Sequence, residues 1–318
     1  MPTAAGDPSE EGRLIAEIET LWEGRSNSGL ILAGGDDCAI VQPPADGVEL
    51  LLATDQIVEG RHFVPDKHPP SALGRKALVR SLSDIAAMGG RPLYFLQALC
   101  LPQWATGDWH RAFQRGMRDL ASNAGLAGLA LAGGDISGGD SFVASLTVVG
   151  CVEQGTAMRR SGARPGDRVY LSGSVGGSAM GLELLLGEAA SDLDHPAIRK
   201  HCEPLPQLEL GRALRSLPAS AAIDLSDGLA TDANRLAAAS GAAILLDSSS
   251  VPLFAGARIE NAVRSGEEYE LLFTLSPGSD PPQGFATTEV GRVDFGTGVW
   301  LDTGLGRSRL GPEGFSHF

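Results

Sequence analysis

Residues 221–246 read AAIDLSDGLATDANRLAAASGAAILL. Ala221 to Asp224 reads as a strand, Gly228 to Ser240 as a helix and Ala243 to Leu246 as a second strand, with Asp224-Leu225-Ser226-Asp227-Gly228 at the first junction. The same pattern, an apolar run closed by glycine and acid, recurs upstream. Leu30 to Ala33 precedes Gly34-Gly35-Asp36-Asp37, Val48 to Ala53 precedes Thr54-Asp55, and a further strand leads into Gly133-Gly134-Asp135. Helical spacing appears over residues 10–22, over 73–88 with a stop at Gly89-Gly90-Arg91-Pro92, and from Asp108 to Ala124 with Gly125 as C-cap. This mixture predicts an α/β (α+β mixed) layered fold. A length of 318 residues favours two domains, divided near 155 into 1–154 and 155–318.

Composition narrows the function. Hydrophobic residues make up 43% and charged residues 20% of the chain, the range of a folded globular protein. The net charge is −14 and only three of the 25 basic residues are lysines, so no basic stripe is available to follow a phosphate backbone and nucleic acid is not an expected partner. The cysteines Cys38, Cys100, Cys151 and Cys202 form no C-x-x-C pair, which fits a reducing compartment. Met1 to Glu11 lacks the basic start and apolar stretch of a signal peptide, and no apolar run approaches the roughly 18 residues of a membrane span. The expectation is a soluble cytoplasmic protein with no membrane association.

Five acidic motifs carry the candidate chemistry: Gly35-Asp36-Asp37, Thr54-Asp55, Ser83-Asp84, Gly133-Gly134-Asp135 and Asp224 to Gly228. Each alone is also ordinary turn chemistry. Together, carboxylates delivered by strands could converge at one sheet edge, and oxygen-only ligands suit magnesium shared with phosphates and water. No Gly-Lys dipeptide occurs, which excludes a Walker A loop, so a bound nucleotide would be held through metals. Gly173-Ser174-Val175-Gly176-Gly177 before a helix reads either as a structural turn or as a phosphate cradle. His62 follows Thr54-Asp55 in sequence, and the Arg159-Arg160 pair either meets phosphate or is solvated.

The ordered set resembles the thiamine-monophosphate kinase family. It comprises Gly35 to Ala39, Thr54-Asp55, His62-Phe63, Leu82 to Gly89, Gly133 to Asp135, Arg160 to Asp167, Ile223 to Gly228, Gly266-Glu267-Glu268-Tyr269-Glu270-Leu271 and Gly314 to Phe318. The resemblance implies the two-domain fold of the aminoimidazole ribonucleotide synthetase-like superfamily. Its N-terminal domain would bind metal and ATP and pair into a homodimer, and its C-terminal domain would complete the active site. It implies ATP and thiamine monophosphate as substrates, Mg2+ as cofactor, and thiamine diphosphate and ADP as products. By resemblance the metal ligands are Asp37, Thr54, Asp55, Asp84, Asp135, Asp224 and Asp227. The ATP contacts are Gly134, Asp135, Arg160 and Ser226, and the substrate contacts are His62, Glu267 and Phe315. Two positions depart from the family pattern: Ala53 stands where a serine often precedes Thr-Asp, and Gln114 replaces a tyrosine associated with the nucleotide.

The acceptor in such a reaction is already a phosphate anion, with a second pKa near 6, and needs no strong general base. Metal-assisted offset of charge repulsion is the requirement instead, so no residue is assigned as a catalytic base. Selenophosphate synthetase and the hydrogenase-maturation dehydratase share the nucleotide chemistry but lean on special cysteines, a feature this chain does not reproduce. A metal-dependent phosphohydrolase and a non-catalytic nucleotide-binding dimer are the alternatives from other classes.

Overall fold

The computed structural model describes residues 10–23, 29–32, 40–41, 46–123, 126, 128–187, 192–217 and 219–315. Asp37, the remainder of the Gly34 to Ala39 motif, Gly125 and Ser316-His317-Phe318 lie outside the described residues. The chain forms two compact units, Met1–Ile85 with Arg91–Gly155, and Ala86–Gly90 with Thr156–Phe318.

The first unit contains α1 (Glu10–Trp22), a short pair β1 (Leu30–Leu32) and β2 (Ile40–Val41), then β3 (Val48–Val58), α2 (Pro70–Ala87), β4 (Arg91–Leu101), α3 (Asp108–Asn123), β5 (Ala130–Gly138) and β6 (Val143–Glu153). Its main sheet has the order β3-β6-β4-β5, antiparallel except for the parallel β4–β5 pair. One face is the core face. Phe95, Leu99, Ala144, Leu146, Val148 and Ile57 are buried on it, and Ser81 of α2 donates its hydroxyl to the Leu146 carbonyl at 3.0 Å. The helical stripe of α2, Leu73, Ala77, Leu78, Leu82 and Ile85, is buried throughout. The other face of this sheet is open among the described residues of this unit. Leu50, Leu52 and Leu96 are exposed on it by 43%, 71% and 40%.

The second unit contains β7 (Arg168–Ser172), α4 (Gly177–Leu186), α5 (Pro196–Cys202), α6 (Leu208–Ser216), β8 (Ala221–Asp224), α7 (Leu229–Ser240), β9 (Ala243–Asp247), α8 (Ile259–Ala262), β10 (Leu271–Leu275), β11 (Thr287–Asp294), β12 (Gly298–Asp302) and β13 (Arg307–Leu310). Seven strands make one mixed sheet ordered β13-β12-β9-β11-β7-β10-β8. The expected strand, helix and strand over 221–246 are β8, α7 and β9. Helix α7 buries Leu229, Ala230, Ala233, Leu236 and Ala237, and ends where Gly241, at φ 63°, takes the left-handed cap and donates to the Ala237 and Ala238 carbonyls. Among the described residues, no helix is long and apolar enough to cross a membrane.

Candidate active site

In the first unit, the two motifs expected where strands end stand inside strands, and Asp84 lies within its expected helix. Thr54 and Asp55 lie in the middle of β3, Gly133 to Asp135 in β5, and Asp84 in the last turns of α2. Strand β3 alternates between the two sheet faces, so Asp55 falls on the core face with Ile57 while Thr54 falls on the open face. The Thr54 hydroxyl shares a hydrogen bond of 2.9 Å with the Thr147 hydroxyl. Asp55 lies 3.6 Å from the Arg80 guanidinium, and Asp84 is one helical turn beyond Arg80. These two acids therefore share a neighbourhood.

Asp135 does not join them within this unit. The register runs Asp55 to Leu146 to Gln97 to Gly134, which makes Asp135, opposite Ala98, the next residue along and places it on the open face. Three strand spacings of about 4.8 Å separate β3 from β5, roughly 14 Å. Gly134 has its own structural reason: a Cβ there would sit 2.0 Å from the Gln97 carbonyl oxygen. His62 closes a turn after β3, its Nδ1 accepting the Val58 N–H at 3.0 Å, which leaves the proton of the neutral ring on Nε2. Gln114 is fully buried and donates to Gln97 at 3.1 Å beside buried His110, so its side chain serves the interior rather than a surface ligand.

The second unit gathers three of the predicted segments. Leu225 donates its N–H to the Glu270 carbonyl at 2.8 Å, Tyr269 to Leu225 at 2.9 Å and Glu267 to Ser226 at 2.8 Å, joining 224–228 to 266–270. The C-terminal segment joins the same loop. Phe315 donates its N–H to the Asp227 carbonyl at 3.1 Å and Gly314 to the Thr231 hydroxyl at 2.9 Å. Asp224, Ser226, Asp227, Glu267 and Phe315 thus form one cluster, with Asp227 held 2.5 Å from Arg235. Arg160 stands apart: its carbonyl accepts from Ser240, at the far end of α7, whose 12 residues span about 18 Å.

Glu267 and Tyr269 adopt positive φ, 57° and 53°, which is strained for residues with side chains. Between them Glu268 turns inward. One of its oxygens accepts from Gly176 at 2.8 Å, Ser178 at 3.1 Å and the Ser265 hydroxyl at 2.6 Å, and burial raises its pKa. The helix start at α4 is therefore filled by a carboxylate of the chain itself, and the glycine-rich 173–177 stretch is a structural turn. Glu270 is held by Lys200 at 2.5 Å and the Ser172 hydroxyl at 2.7 Å, and buried His201 lies 3.8 Å from Glu267. Lys200 and His201 did not stand out in the sequence, since each sits outside a recognisable acid-glycine turn, whereas Glu268 lies within the quoted 266–271 motif with nothing to say that it turns inward.

Asp232, on α7, has its pKa raised to about 7, first by burial and then by the neighbouring Asp224 charge. Crowding of Asp224, Asp227 and Asp232 is the surroundings a divalent cation relieves, and the donors are hard oxygens. Among the described residues no three His, Cys, Asp or Glu groups converge tightly enough to form a complete metal cage.

Two family models match: "AIR synthase related protein, N-terminal domain" over residues 35–152 and "AIR synthase related protein, C-terminal domain" over 164–280. The chain is therefore a two-domain protein of the AIR synthase-like fold. It is 39% identical over 253 residues to thiamine-monophosphate kinase of Escherichia coli strain K12, a match covering 76% of this chain and 75% of that protein. The crystal structure of thiamine-monophosphate kinase from Stenotrophomonas maltophilia K279a superposes with a TM-score of 0.79 at 34% identity, covering 91% of this chain and 95% of that one. AaThiL complexed with AMPPCP and TMP gives a TM-score of 0.78 at 33% identity, covering 96% of each chain. The chain belongs to the thiamine-monophosphate kinase family.

Proposed function

We propose that this enzyme phosphorylates thiamine monophosphate with ATP, giving thiamine diphosphate and ADP with the assistance of Mg2+. The observation that supports it most is the second-unit cluster, where the acids of 224–228 meet strained Glu267 and anchored Phe315. Asp224 and Asp227 would hold metal there, as would Asp55, Asp84 and Asp135 in the first unit, while Asp37 and Thr54 keep the roles given by resemblance. Bound magnesium supplies charge neutralisation between the two phosphate-bearing substrates. Ser226 offers a hydroxyl donor to ATP phosphate, while Gly134, Asp135 and Arg160 keep the ATP-contact roles that the resemblance gives them. Glu267 presents a carboxylate and Phe315 an aromatic face, groups suited to a cationic thiazolium ring. His62 keeps the substrate-contact role that the resemblance gives it.

In this reaction an oxygen of the acceptor phosphate forms the new P–O bond to the γ-phosphorus in line with the departing ADP oxygen. The residues orient and neutralise, and none removes a proton. A homodimer is part of the proposal, supported by the exposed Leu50, Leu52 and Leu96 on the open sheet face. Asp135 stands on that same face. The test is incubation with thiamine monophosphate and ATP before and after exhaustive chelation. Formation of thiamine diphosphate that stops on chelation and returns with Mg2+ supports the reading, and full activity without any divalent ion refutes it.

A further inference from the structure

Asp232 lies on the buried face of α7 among Leu229, Ala233 and Leu236 and is 0% exposed. A carboxylate in such a place is costly unless every lone pair is used. The preceding loop uses them. Asp232 Oδ2 accepts the backbone N–H groups of Ser226, Asp227 and Gly228 at 3.1, 3.0 and 3.1 Å, and Oδ1 accepts from Arg235 at 2.7 Å. Arg235 also reaches Asp227, so one buried acid is tied to both the main chain and a side chain of this loop.

Three consecutive amides converging on one oxygen leave the tripeptide little torsional freedom, and Gly228 takes φ 112° to complete the turn. With those amides committed inward, the Ser226 and Asp227 side chains remain half-buried at the surface. We propose that Asp232 is a positioning residue that fixes the 226–228 backbone so that Ser226 and Asp227 are correctly placed for metal-nucleotide. It touches no ligand itself. What the loop needs from it is an acceptor atom at that point, rather than a charge. The inference rests on the kinase reading of this loop.

The experiment compares Asp232→Asn, which keeps an acceptor oxygen in place, with Asp232→Ala, which removes it. Mn2+ binding in the presence of AMPPCP is measured by electron paramagnetic resonance, and amide exchange is followed at residues 226–228. The Ala variant should lose protection at these amides and weaken Mn2+ binding about 10–100-fold, as for residues that orient metal ligands. Its kcat should recover toward wild type at saturating metal. The Asn variant should keep both properties close to wild type.

An Ala variant with unchanged Mn2+ affinity overturns the proposal, as does an Asn variant as weak as the Ala one, which would assign the charge a direct role. If the Ala variant does not fold, the Asn variant decides alone: near-normal affinity supports positioning, and a loss of about tenfold or more refutes it. Wild-type protein that binds Mn2+ with the nucleotide yet forms no thiamine diphosphate would sink the kinase reading while leaving this inference to the variants. Wild-type protein that binds neither refutes both.

Discussion

Replacing Gly314 with alanine tests whether the C-terminal segment serves the substrate. The added Cβ would lie 1.9 Å from the Asp227 carbonyl oxygen and 2.5 Å from the Thr231 hydroxyl, so one side must move. The Asp227 loop is held from beneath by three amide bonds to Asp232, whereas residues 313–315 are held by two backbone bonds and the Arg264–Glu313 ion pair. The C-terminal segment therefore gives way. At about 0.5–1.5 kcal/mol net per hydrogen bond, losing both costs roughly 1–3 kcal/mol. The docked fraction, and with it the apparent affinity for whatever Phe315 contacts, falls by about 5–150-fold. Steady-state kinetics should show KM for thiamine monophosphate raised within that range, with the Mg2+ requirement and KM for ATP near wild type. An unchanged KM for thiamine monophosphate would refute the reasoning, and an equal rise for ATP would show that the Asp227 loop had moved instead.

Three further outcomes follow from named residues. Glu267→Asn places a residue tolerant of positive φ at a strained position, so it should gain about 1 kcal/mol of stability in thermal unfolding while raising KM for thiamine monophosphate; a lower melting temperature with unchanged KM would contradict both roles. Asp55→Asn and Asp227→Asn should each lower turnover by at least about tenfold with unfolding midpoints near wild type, and wild-type turnover in either removes that residue from the site. His110 is fully buried, and its pKa is lowered to about 4, first by burial and then by Arg111. Its folded pKa lies below its unfolded one, so the unfolded chain binds the proton more readily as pH falls from 6.5 toward 4. Up to about 3 kcal/mol of stability should be lost across that window. Denaturant midpoints measured between pH 7 and 4 should fall more steeply in wild type than in His110→Asn, and parallel profiles would refute the assignment.

The sequence made the 221–246 unit legible because its acids interrupt an apolar run at the point where the chain leaves the sheet. Thr54-Asp55 and Gly133 to Asp135 look similar yet stay within strands, because the open sheet face accepts Thr54 and Asp135 while the Arg80 guanidinium meets Asp55 on the core face. The separation of Asp55 from Asp135 follows from strand order and register, which no local motif encodes. In Gly266-Glu267-Glu268-Tyr269-Glu270 the motif was readable but the directions were not. Positive φ at Glu267 and Tyr269 breaks the simple alternation that would say which glutamate turns inward. Asp232 was hidden by its helix: an acid beside an apolar stripe reads as solvated until the loop amides that bond it are seen.

In the proposed reaction a phosphate already present on the substrate is the nucleophile, since the cluster supplies orienting groups and no assigned base. The most direct measurement supplies saturating Mg-ATP with either thiamine monophosphate or unphosphorylated thiamine and identifies products by mass spectrometry. Thiamine diphosphate and ADP, without AMP, are expected from the monophosphate, and no phosphorylated product from thiamine. Comparable phosphorylation of thiamine itself, or ATP hydrolysis indifferent to the monophosphate, would contradict it.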